Sequence, residues 1–239
     1  MKRWTDDFFN TLYWELFMKR TDEQIQSEVD FITRLIGFQP QSVMDVCCGV
    51  GDILSGFAKN NAARTLGVEF SQDYVNRRYI QSVIKADACE KQTSEQFDLV
   101  MNWFSSFAYF DKSNNKQMLR NCFDATGKVF IMEMYNAYGT LFNFKELIEY
   151  DKKLNGKIYH IKRQAHVDVM TRCLCQKWTF SEGENTWSYD TSTQMYFADE
   201  IISLLKEVGF QTVELFSREN NELTPLDFKS PRIIVRAKR

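Results

Sequence analysis

The chain has 239 residues, of which 44% are hydrophobic and 26% charged, a balance that is typical of a globular protein and argues against extended disorder. The formal net charge is -2 and the basic residues are scattered, which argues against a surface for nucleic acid or anionic lipid. The sequence contains no apolar run long enough to cross a bilayer and its first ten residues do not resemble a signal peptide, so we expect a cytoplasmic protein without a membrane partner.

The six cysteines form neither paired metal-binding knuckles nor a plausible disulfide framework. We therefore expect reduced thiols. The two histidines, His160 and His166, lie in one segment, so the sequence predicts no metal site.

Two helices are predicted before residue 40. Aromatic and leucine side chains recur at helical spacing over residues 4–17, and a second helix over residues 21–36 is closed by Gly37 and Pro40.

Strands and helices then alternate, which predicts parallel βαβ units in an open α/β sheet. Ser71 is expected to cap the helix predicted at residues 73–80. The predicted strands are 43–46, 65–68, 83–86, 97–102 and 128–133, and the predicted helices are 53–59, 73–80 and 113–123.

The pattern changes after Tyr138. Residues 157–196 are rich in β-forming residues around a turn at 181–185, which predicts an antiparallel insertion. An amphipathic helix over 199–208 and strands near 212–216 and 232–237 follow. We expect residues 1–138 to contain the N-terminal helices and the α/β core, residues 139–197 to form the antiparallel insertion, and residues 198–239 to complete the core sheet.

The loop after the first strand, in VMDVCCGVGDILSGFA, has glycines at 49 and 51 that let backbone amides approach a ligand. Leu54 stands where a dinucleotide fingerprint places its third glycine, which counts against a bound pyrophosphate. Glu69 ends the second strand, where an acidic side chain binds ribose hydroxyls, and Asp87 follows the third strand, where a carboxylate can accept from the adenine amino group. These positions predict an adenosine site without a diphosphate.

The order and spacing of these motifs, with LGVEFS, KADACE and FDLVMNWFSSFAYF, resemble the class I S-adenosylmethionine-dependent methyltransferases from about residue 21 onward. The resemblance implies a Rossmann-like α/β fold whose seven-stranded mixed sheet has an antiparallel seventh strand, with an N-terminal helical lid and an antiparallel β cap insertion. The segment FSSFAYF, the cap and the final SPRIIVRAK are most similar to small-molecule members, including N-methyltransferases of amino sugars and amino acids.

The resemblance also implies roles for individual residues. Asp45 would orient the methionine amino group, Glu69 would hold the ribose, and Phe70 would stack on adenine. The implied S-adenosylmethionine-binding residues are Asp45, Cys47, Gly49, Gly51, Glu69, Phe70, Asp87, Ala88, Asn102, Trp103 and Phe104.

The acceptor side is less defined by the sequence. Tyr13 on the aromatic lid is expected to reach this side, and a base is needed more strongly for a hydroxyl acceptor than for an amine. An acceptor that arrives as a neutral amine needs no base at all. The candidate catalytic residues are Tyr13, Tyr109, Glu133, Tyr135 and His166, with His160 as a further candidate base.

The sequence therefore predicts methyl transfer by direct displacement to a small-molecule acceptor, first to an amine nitrogen and alternatively to oxygen. The sequence Asn102-Trp103-Phe104-Ser105 replaces the Pro-Pro-Tyr motif of enzymes that methylate nucleic-acid bases, so no nucleic-acid partner is expected. A nicotinamide-dependent oxidoreductase, disfavoured by Leu54, and a noncatalytic S-adenosylmethionine binder remain as alternatives. The cap strands could pair in a homodimer.

Overall fold

The computed structural model describes residues 3–61 and 63–239, which contain a large mixed sheet and a smaller antiparallel sheet. The strands, in chain order, are β1 Ser42–Val46, β2 Arg64–Glu69, β3 Val83–Lys85, β4 Phe97–Asn102, β5 Thr126–Tyr135, β6 Leu147–Leu154, β7 Lys157–Asp168, β8 Cys173–Glu182, β9 Asn185–Gln194, β10 Thr212–Glu219, β11 Glu222–Pro225 and β12 Arg232–Lys238.

The large sheet has eight strands in the order β11-β10-β12-β5-β4-β1-β2-β3. Strands β1 to β5 are parallel to one another, and β12 is inserted antiparallel between β5 and β10. The predicted α/β fold with a mixed sheet and an antiparallel last strand is confirmed. The sheet has eight strands rather than the predicted seven.

The additional strand is β11, which forms a hairpin with β10. Glu219 pairs with Glu222, so Asn220 and Asn221 form a two-residue turn. Both asparagines have a positive φ, 48° and 63°, which is the conformation that a tight hairpin of this kind requires. This Asn-Asn pair is the sequence signal that the prediction missed.

Helices cover both faces of the large sheet and bury two apolar clusters against it. The predicted second helix is confirmed: Thr21 and Gln24 form a capping box at its start, and Gly37 ends it in a left-handed conformation with φ 80°. The α-helices are α1 Thr5–Phe8, α2 Thr11–Tyr13, α3 Asp22–Ile36, α4 Asp52–Asn61, α5 Gln72–Asn76, α6 Lys112–Ala125, α7 Ala137–Phe142 and α8 Ala198–Val208.

The prediction of one helix through residues 4–17 is wrong. The chain leaves helical geometry at Phe9, and the Asn10 side chain accepts a hydrogen bond from the Tyr13 amide at 3.0 Å, which starts a new helix. A π-helical turn, Trp14–Met18, follows α2. The aromatic side chains instead pack on one another, with Phe8 and Tyr13 ring centroids 4.5 Å apart.

The predicted helix at 73–80 is shorter, because α5 ends at Asn76. Ser71 occupies the N-cap position, but its side chain makes no capping hydrogen bond. The Ser71 hydroxyl donates instead to the Phe9 carbonyl at 2.9 Å. This bond ties the N-terminal segment to the end of β2.

The second sheet is fully antiparallel, in the order β6-β7-β8-β9, and we call it the cap sheet. Its first strand, β6, was not predicted, although Asn155 and Gly156, both with positive φ, form the tight turn that joins β6 to β7. We call the side of the cap sheet that carries Ile161 and Phe180 its inner face; these two residues pack against Phe8 and Leu16 of the N-terminal segment. No helix within residues 3–61 and 63–239 is long and apolar enough to span a bilayer.

Candidate active site

A cavity lies at the carboxyl ends of β1, β2, β3 and β4, where an open parallel sheet binds ligands. Its empty space is about 960 Å³, part of which is open to solvent. Gly51 and Asn102 are predicted cofactor residues that do not line it. The predicted residues that do line it are Asp45, Cys47, Gly49, Glu69, Phe70, Asp87, Ala88, Trp103 and Phe104.

The loop after β1 makes its tight turn with left-handed residues. Cys47 and Gly49 have φ values of 63° and 60°, and both face the cavity. Gly51 is also left-handed, but a Cβ there would lie 2.6 Å from a methyl group of Val83. Gly51 therefore allows α4 to pack closely on the sheet instead of forming a wall of the cavity.

Glu69, at the end of β2, is buried and held by backbone donors. Its Oε2 accepts from the Gly49 amide at 2.9 Å, and its Oε1 accepts from the Ser71 amide at 2.6 Å. Burial raises the pKa of Glu69, and the backbone hydrogen bonds oppose this increase. The carboxylate fixes the two loops that bound the cavity, and it retains free lone pairs toward a ligand.

Asp45, near the end of β1, is the most poorly compensated charge of the cavity. Its Oδ1 is buried and has no hydrogen-bond partner among the described residues. Burial raises the pKa of Asp45 well above its ordinary value; the neighbouring Asp52 and Glu69 raise it further, and Arg20 lowers it. A buried acceptor without a partner is costly, so this position favours a ligand that brings a donor.

The third predicted carboxylate, Asp87, follows β3 and pairs with the N-terminal segment. Its Oδ2 lies 2.7 Å from Arg3 Nη1, while its Oδ1 accepts from the Cys89 amide at 2.9 Å. The Arg3 guanidinium lies 5.5 Å from the ring centroid of Phe70 and 5.0 Å from that of Phe110. Arg3 therefore occupies the end of the cavity where the sequence predicts adenine.

The segment after β4 closes the cavity on another side. Asn102 is fully buried and donates from Nδ2 to the Val46 carbonyl at 2.7 Å, so it joins β4 to β1 and lies behind the cavity wall. Trp103 donates from its indole nitrogen to Glu28 Oε1 at 2.6 Å. Phe104 and Ser105 have left-handed backbones, with φ 60° and 61°, which costs energy for residues with side chains.

Sequence reasoning missed a cation at the same cavity. Arg20 donates from Nη1 to Asp52 Oδ2 at 2.9 Å and to the Met18 carbonyl at 3.0 Å, and its guanidinium lies 3.7 Å from the Phe104 ring centroid. Arg20 lies in the turn between the aromatic segment and α3, and Asp52 begins α4. No local motif marks a pair that is 32 positions apart.

Of the three candidate catalytic tyrosines, Tyr109 lines the cavity, and Tyr13 and Tyr135 do not. The Tyr109 ring centroid lies 5.0 Å from that of Trp4 and 5.5 Å from that of Phe9. Burial raises the pKa of Tyr109 well above its ordinary value, and the electrostatic influence of Tyr135 and Tyr13 raises it further. Among the described residues, no hydrogen bond satisfies the hydroxyl groups of these three tyrosines.

Glu133 and the two histidines do not line the cavity. Glu133 is paired with Arg232, whose Nε lies 3.3 Å from Glu133 Oε1, and the guanidinium stacks 3.6 Å from the Tyr135 ring centroid. Burial raises the pKa of Glu133, and Arg232 lowers it. His160 and His166 are exposed on the side of the cap sheet opposite Ile161, so neither reaches the cavity. The placement of His166 gives no support to a role as base.

Comparisons with known proteins agree with this geometry. Residues 43–128 match the family model described as a methyltransferase domain. Residues 43–128 thus carry the sequence pattern of a methyltransferase domain. A search of curated proteins by sequence finds no match.

Solved structures of methyltransferases share the fold over nearly their whole length. A S-adenosylmethionine-dependent methyltransferase from Clostridium acetobutylicum is 16% identical, with a TM-score of 0.73 over 95% of this chain and 96% of the other. The CcbJ methyltransferase from Streptomyces caelestis is 13% identical, with a TM-score of 0.77 over 99% and 98%. The sugar N-methyltransferase KedS8 from Streptoalloteichus is 16% identical, with a TM-score of 0.74 over 95% and 91%.

The residues of the cavity fit S-adenosylmethionine, the cofactor that the resemblance to methyltransferases implies. S-adenosylmethionine carries a cationic sulfonium, an ammonium and a carboxylate. The cavity offers the unpartnered Asp45 Oδ1 to a cationic donor, and it offers the Arg20 guanidinium to an anion. Phe70, with 41% of its side chain exposed, and Phe110 supply aromatic surface at the end that holds Asp87.

Proposed function

We propose that this methyltransferase domain transfers a methyl group to the amine nitrogen of a small-molecule acceptor. The observation that carries the proposal is the Tyr109 side chain, which lines the cavity and whose hydroxyl has no hydrogen-bond partner among residues 3–61 and 63–239. Tyr13 and Tyr135 do not line the cavity, but they act electrostatically on Tyr109 and their hydroxyls also lack a partner among these residues. Structural neighbours that are described as a sugar N-methyltransferase, an amino pentose methyltransferase and a glycopeptide N-methyltransferase support a nitrogen acceptor.

In this proposal the nucleoside lies along the ends of β2 and β3. Glu69 would bind both ribose hydroxyls, since each of its oxygens accepts one backbone amide and has a lone pair left. Phe70 would stack on adenine, and Asp87 with the Ala88 amide would bind its polar edge. Arg3 must leave Asp87 for that contact to form.

The amino-acid end of the cofactor would lie between the loop after β1 and the N-terminal segment. Asp45 Oδ1 would accept from the ammonium group, and the Gly49 backbone and Cys47 would form a close wall. Arg20, which is already fixed by Asp52, would bind the carboxylate. Trp103 and Phe104 would border the sulfonium, where aromatic faces attract a cation.

When bound, the cofactor supplies an electrophilic methyl group on sulfur. The tyrosine hydroxyl oxygens would accept hydrogen bonds from the amine and orient its lone pair toward that methyl group. Burial raises the pKa of both Tyr13 and Tyr109, so these side chains stay neutral and cannot remove a proton from an alcohol. Glu133 is engaged in an ion pair with Arg232 and is therefore a poor candidate for a base. Methyl transfer to an amine needs a base less strongly than transfer to a hydroxyl, so this pairing favours an amine acceptor.

The test is a panel of paired acceptors, each an amine and the matching alcohol or phenol, with release of S-adenosylhomocysteine as the measurement. We expect turnover of amines. Tyr109→Phe and Tyr135→Phe should lower kcat/KM about 10- to 100-fold while leaving S-adenosylhomocysteine binding unchanged, because only acceptor hydrogen bonds are lost. Tyr79→Phe is the control, since Tyr79 is exposed and does not line the cavity. Turnover of hydroxyl acceptors alone would overturn the nitrogen assignment.

We also propose that the protein acts in the cytoplasm, binds no nucleic acid, and pairs as a homodimer through its cap strands. The net charge of -2 supports the second point, and the unpaired edges of β6 and β9 in the cap sheet support the third. Titration with NADH tests the alternative of a nicotinamide-dependent oxidoreductase, and we expect no binding of NADH. Tight S-adenosylhomocysteine binding without turnover of any acceptor would instead support a noncatalytic binder.

A further inference from the structure

The inner face of the cap sheet carries a cation without a partner. Arg163, on β7, pairs in register with Ile148 and Trp178, and these paired residues lie on the same face of the sheet. Trp178 packs on the N-terminal segment, with its ring centroid 5.7 Å from that of Phe8. Arg163 therefore lies on the side of the cap that faces the N-terminal aromatic segment.

The guanidinium of Arg163 is not compensated by the protein. Its Nε is buried without a hydrogen-bond partner, and Arg163 forms no ion pair with any residue in the described ranges. The guanidinium contacts the Trp178 ring, 5.7 Å from its centroid. Burying a charged donor without an acceptor costs free energy, so this position favours an anionic ligand.

A second cation lies on the same face. Lys152, on β6, points to the side that also carries Tyr150, and its Nζ lies 4.6 Å from the Phe17 ring centroid without an acidic partner in the described chain. By contrast, the cations around the cavity and the Glu133 region are paired. These pairs are Arg3 with Asp87, Arg20 with Asp52, Arg218 with Glu28, and Arg232 with Glu133.

Tyr150 connects this cationic face to the proposed acceptor side. Tyr150 and Ile161 are paired in register on the inner face, and 40% of the Tyr150 side chain is exposed. Tyr150 and Tyr135 both act electrostatically on Tyr13, and Arg163 acts on Tyr150. Tyr13 is also joined to the inner face by packing, because its ring centroid lies 4.9 Å from that of Phe17, the ring that Lys152 contacts.

We propose that Arg163 and Lys152 bind an anionic group of the acceptor, so that the substrate is an amine that also bears a carboxylate or a phosphate. This inference rests on the proposed function and names its substrate class. The anion would occupy the cap side, while the amine meets the tyrosines beside the cavity. A charge-assisted hydrogen bond at Arg163 would then fix the distance between the anion and the reacting nitrogen.

The test compares acceptors in matched sets: an amine with a carboxylate, the same amine with a phosphate, and the same amine as a neutral amide. The wild type should use one or both anionic forms with kcat/KM about 10- to 100-fold above that for the neutral form. The anionic amine with the higher kcat/KM shows whether the site binds a carboxylate or a phosphate. Arg163→Gln should abolish this preference, Lys152→Gln should reduce it, and Arg163→Lys should retain part of it.

The control is Lys162→Gln. Lys162 is adjacent to Arg163 on β7 but lies on the opposite face of the cap sheet, where its Nζ is 3.1 Å from Glu149 Oε1. This variant should behave like the wild type. Equal use of anionic and neutral amines would overturn the anion site and leave nitrogen methylation intact. Turnover of hydroxyl acceptors alone would instead overturn the proposed function.

A binding measurement covers the case in which no acceptor of the panel turns over. Inorganic phosphate and acetate are titrated separately into protein saturated with S-adenosylhomocysteine, and thermal unfolding is followed. At least one anion should raise Tm for the wild type and Lys162→Gln and have a smaller effect on Arg163→Gln. The same response in all three proteins, or no response to either anion, would contradict the proposal.

Discussion

Arg3 Nη1 lies 2.7 Å from Asp87 Oδ2, in an ion pair that joins the N-terminal segment to the end of the cavity where adenine is proposed to bind. The same guanidinium lies between the rings of Phe70 and Phe110. Arg3 therefore competes with adenine for a carboxylate and for aromatic surface. Cofactor binding must break this contact.

Replacing Arg3 by Ala should strengthen the binding of S-adenosylhomocysteine. The ion pair is partly exposed, with 35% of the Arg3 side chain accessible, so its contribution is small and the gain in affinity should be about two- to fivefold. Calorimetric titration measures it. Arg64→Ala is the control, because Arg64 pairs with Glu95, which does not line the cavity. Weaker binding by Arg3→Ala would show that Arg3 assists the cofactor instead.

The second prediction concerns pH. Burial raises the pKa of Asp45 and Glu69 above their ordinary values, so both carboxylates begin to take up protons as the pH falls toward mildly acidic values. A cationic ligand stabilises the ionised form, so its binding should release protons. Affinity for S-adenosylmethionine should therefore fall as the pH decreases through the raised pKa values, more steeply than affinity for S-adenosylhomocysteine, which lacks the sulfonium charge.

Calorimetry at mildly acidic pH, in two buffers of different ionisation enthalpy, measures the released protons. Asp45→Asn should reduce the release, because the amide does not titrate. Asp168→Asn is the matched control, since that carboxylate does not line the cavity and its pKa is lowered by local hydrogen bonds from Thr171. Equal pH dependence for both ligands would contradict this electrostatic description of the cavity.

The third prediction concerns the buried carboxylate behind the cavity wall. Glu28 accepts from the Trp103 indole at 2.6 Å and from Arg218 at 2.6 Å and 3.0 Å. Glu28→Ala leaves both donors without an acceptor and should lower the free energy of unfolding by about 3–5 kcal/mol. Denaturant titration measures the loss. Glu28→Gln keeps an oxygen for one donor, so a loss as large as that of Glu28→Ala would contradict the assignment.

Much of the large sheet was predictable because its strands are short apolar runs between helical segments. Asp45, Glu69 and Asp87 were also predictable, since each lies at or directly after the end of a parallel strand, and such ends meet at one edge of the sheet. The roles of Gly51 and Asn102 could not be predicted, because each depends on a contact between separate elements. Gly51 packs closely against Val83, and Asn102 donates a hydrogen bond to Val46.

The acceptor side was less predictable for a related reason. The face of the cap that carries Arg163 follows from alternation along β7 and its pairing with β8, whereas Lys152 lies on β6, which the prediction omitted despite the Asn155-Gly156 turn. His166 appeared suitable as a base by residue type alone, but its place in the alternation of β7 turns it away from the cavity. Arg20 was missed because its partner Asp52, at the start of α4, lies 32 positions further along the chain.

The central claim is that the carboxylates at the ends of β1, β2 and β3 form the S-adenosylmethionine site. Calorimetric titration of S-adenosylhomocysteine into the wild type and into Glu69→Gln tests it most directly. We expect one site per chain in the wild type and an affinity about 10- to 100-fold lower in the variant. In Glu69→Gln an amide nitrogen, which cannot accept a hydrogen bond, replaces a carboxylate oxygen that accepts from a backbone amide or a ribose hydroxyl. No heat with the wild type, or the same affinity in both proteins, would contradict the claim.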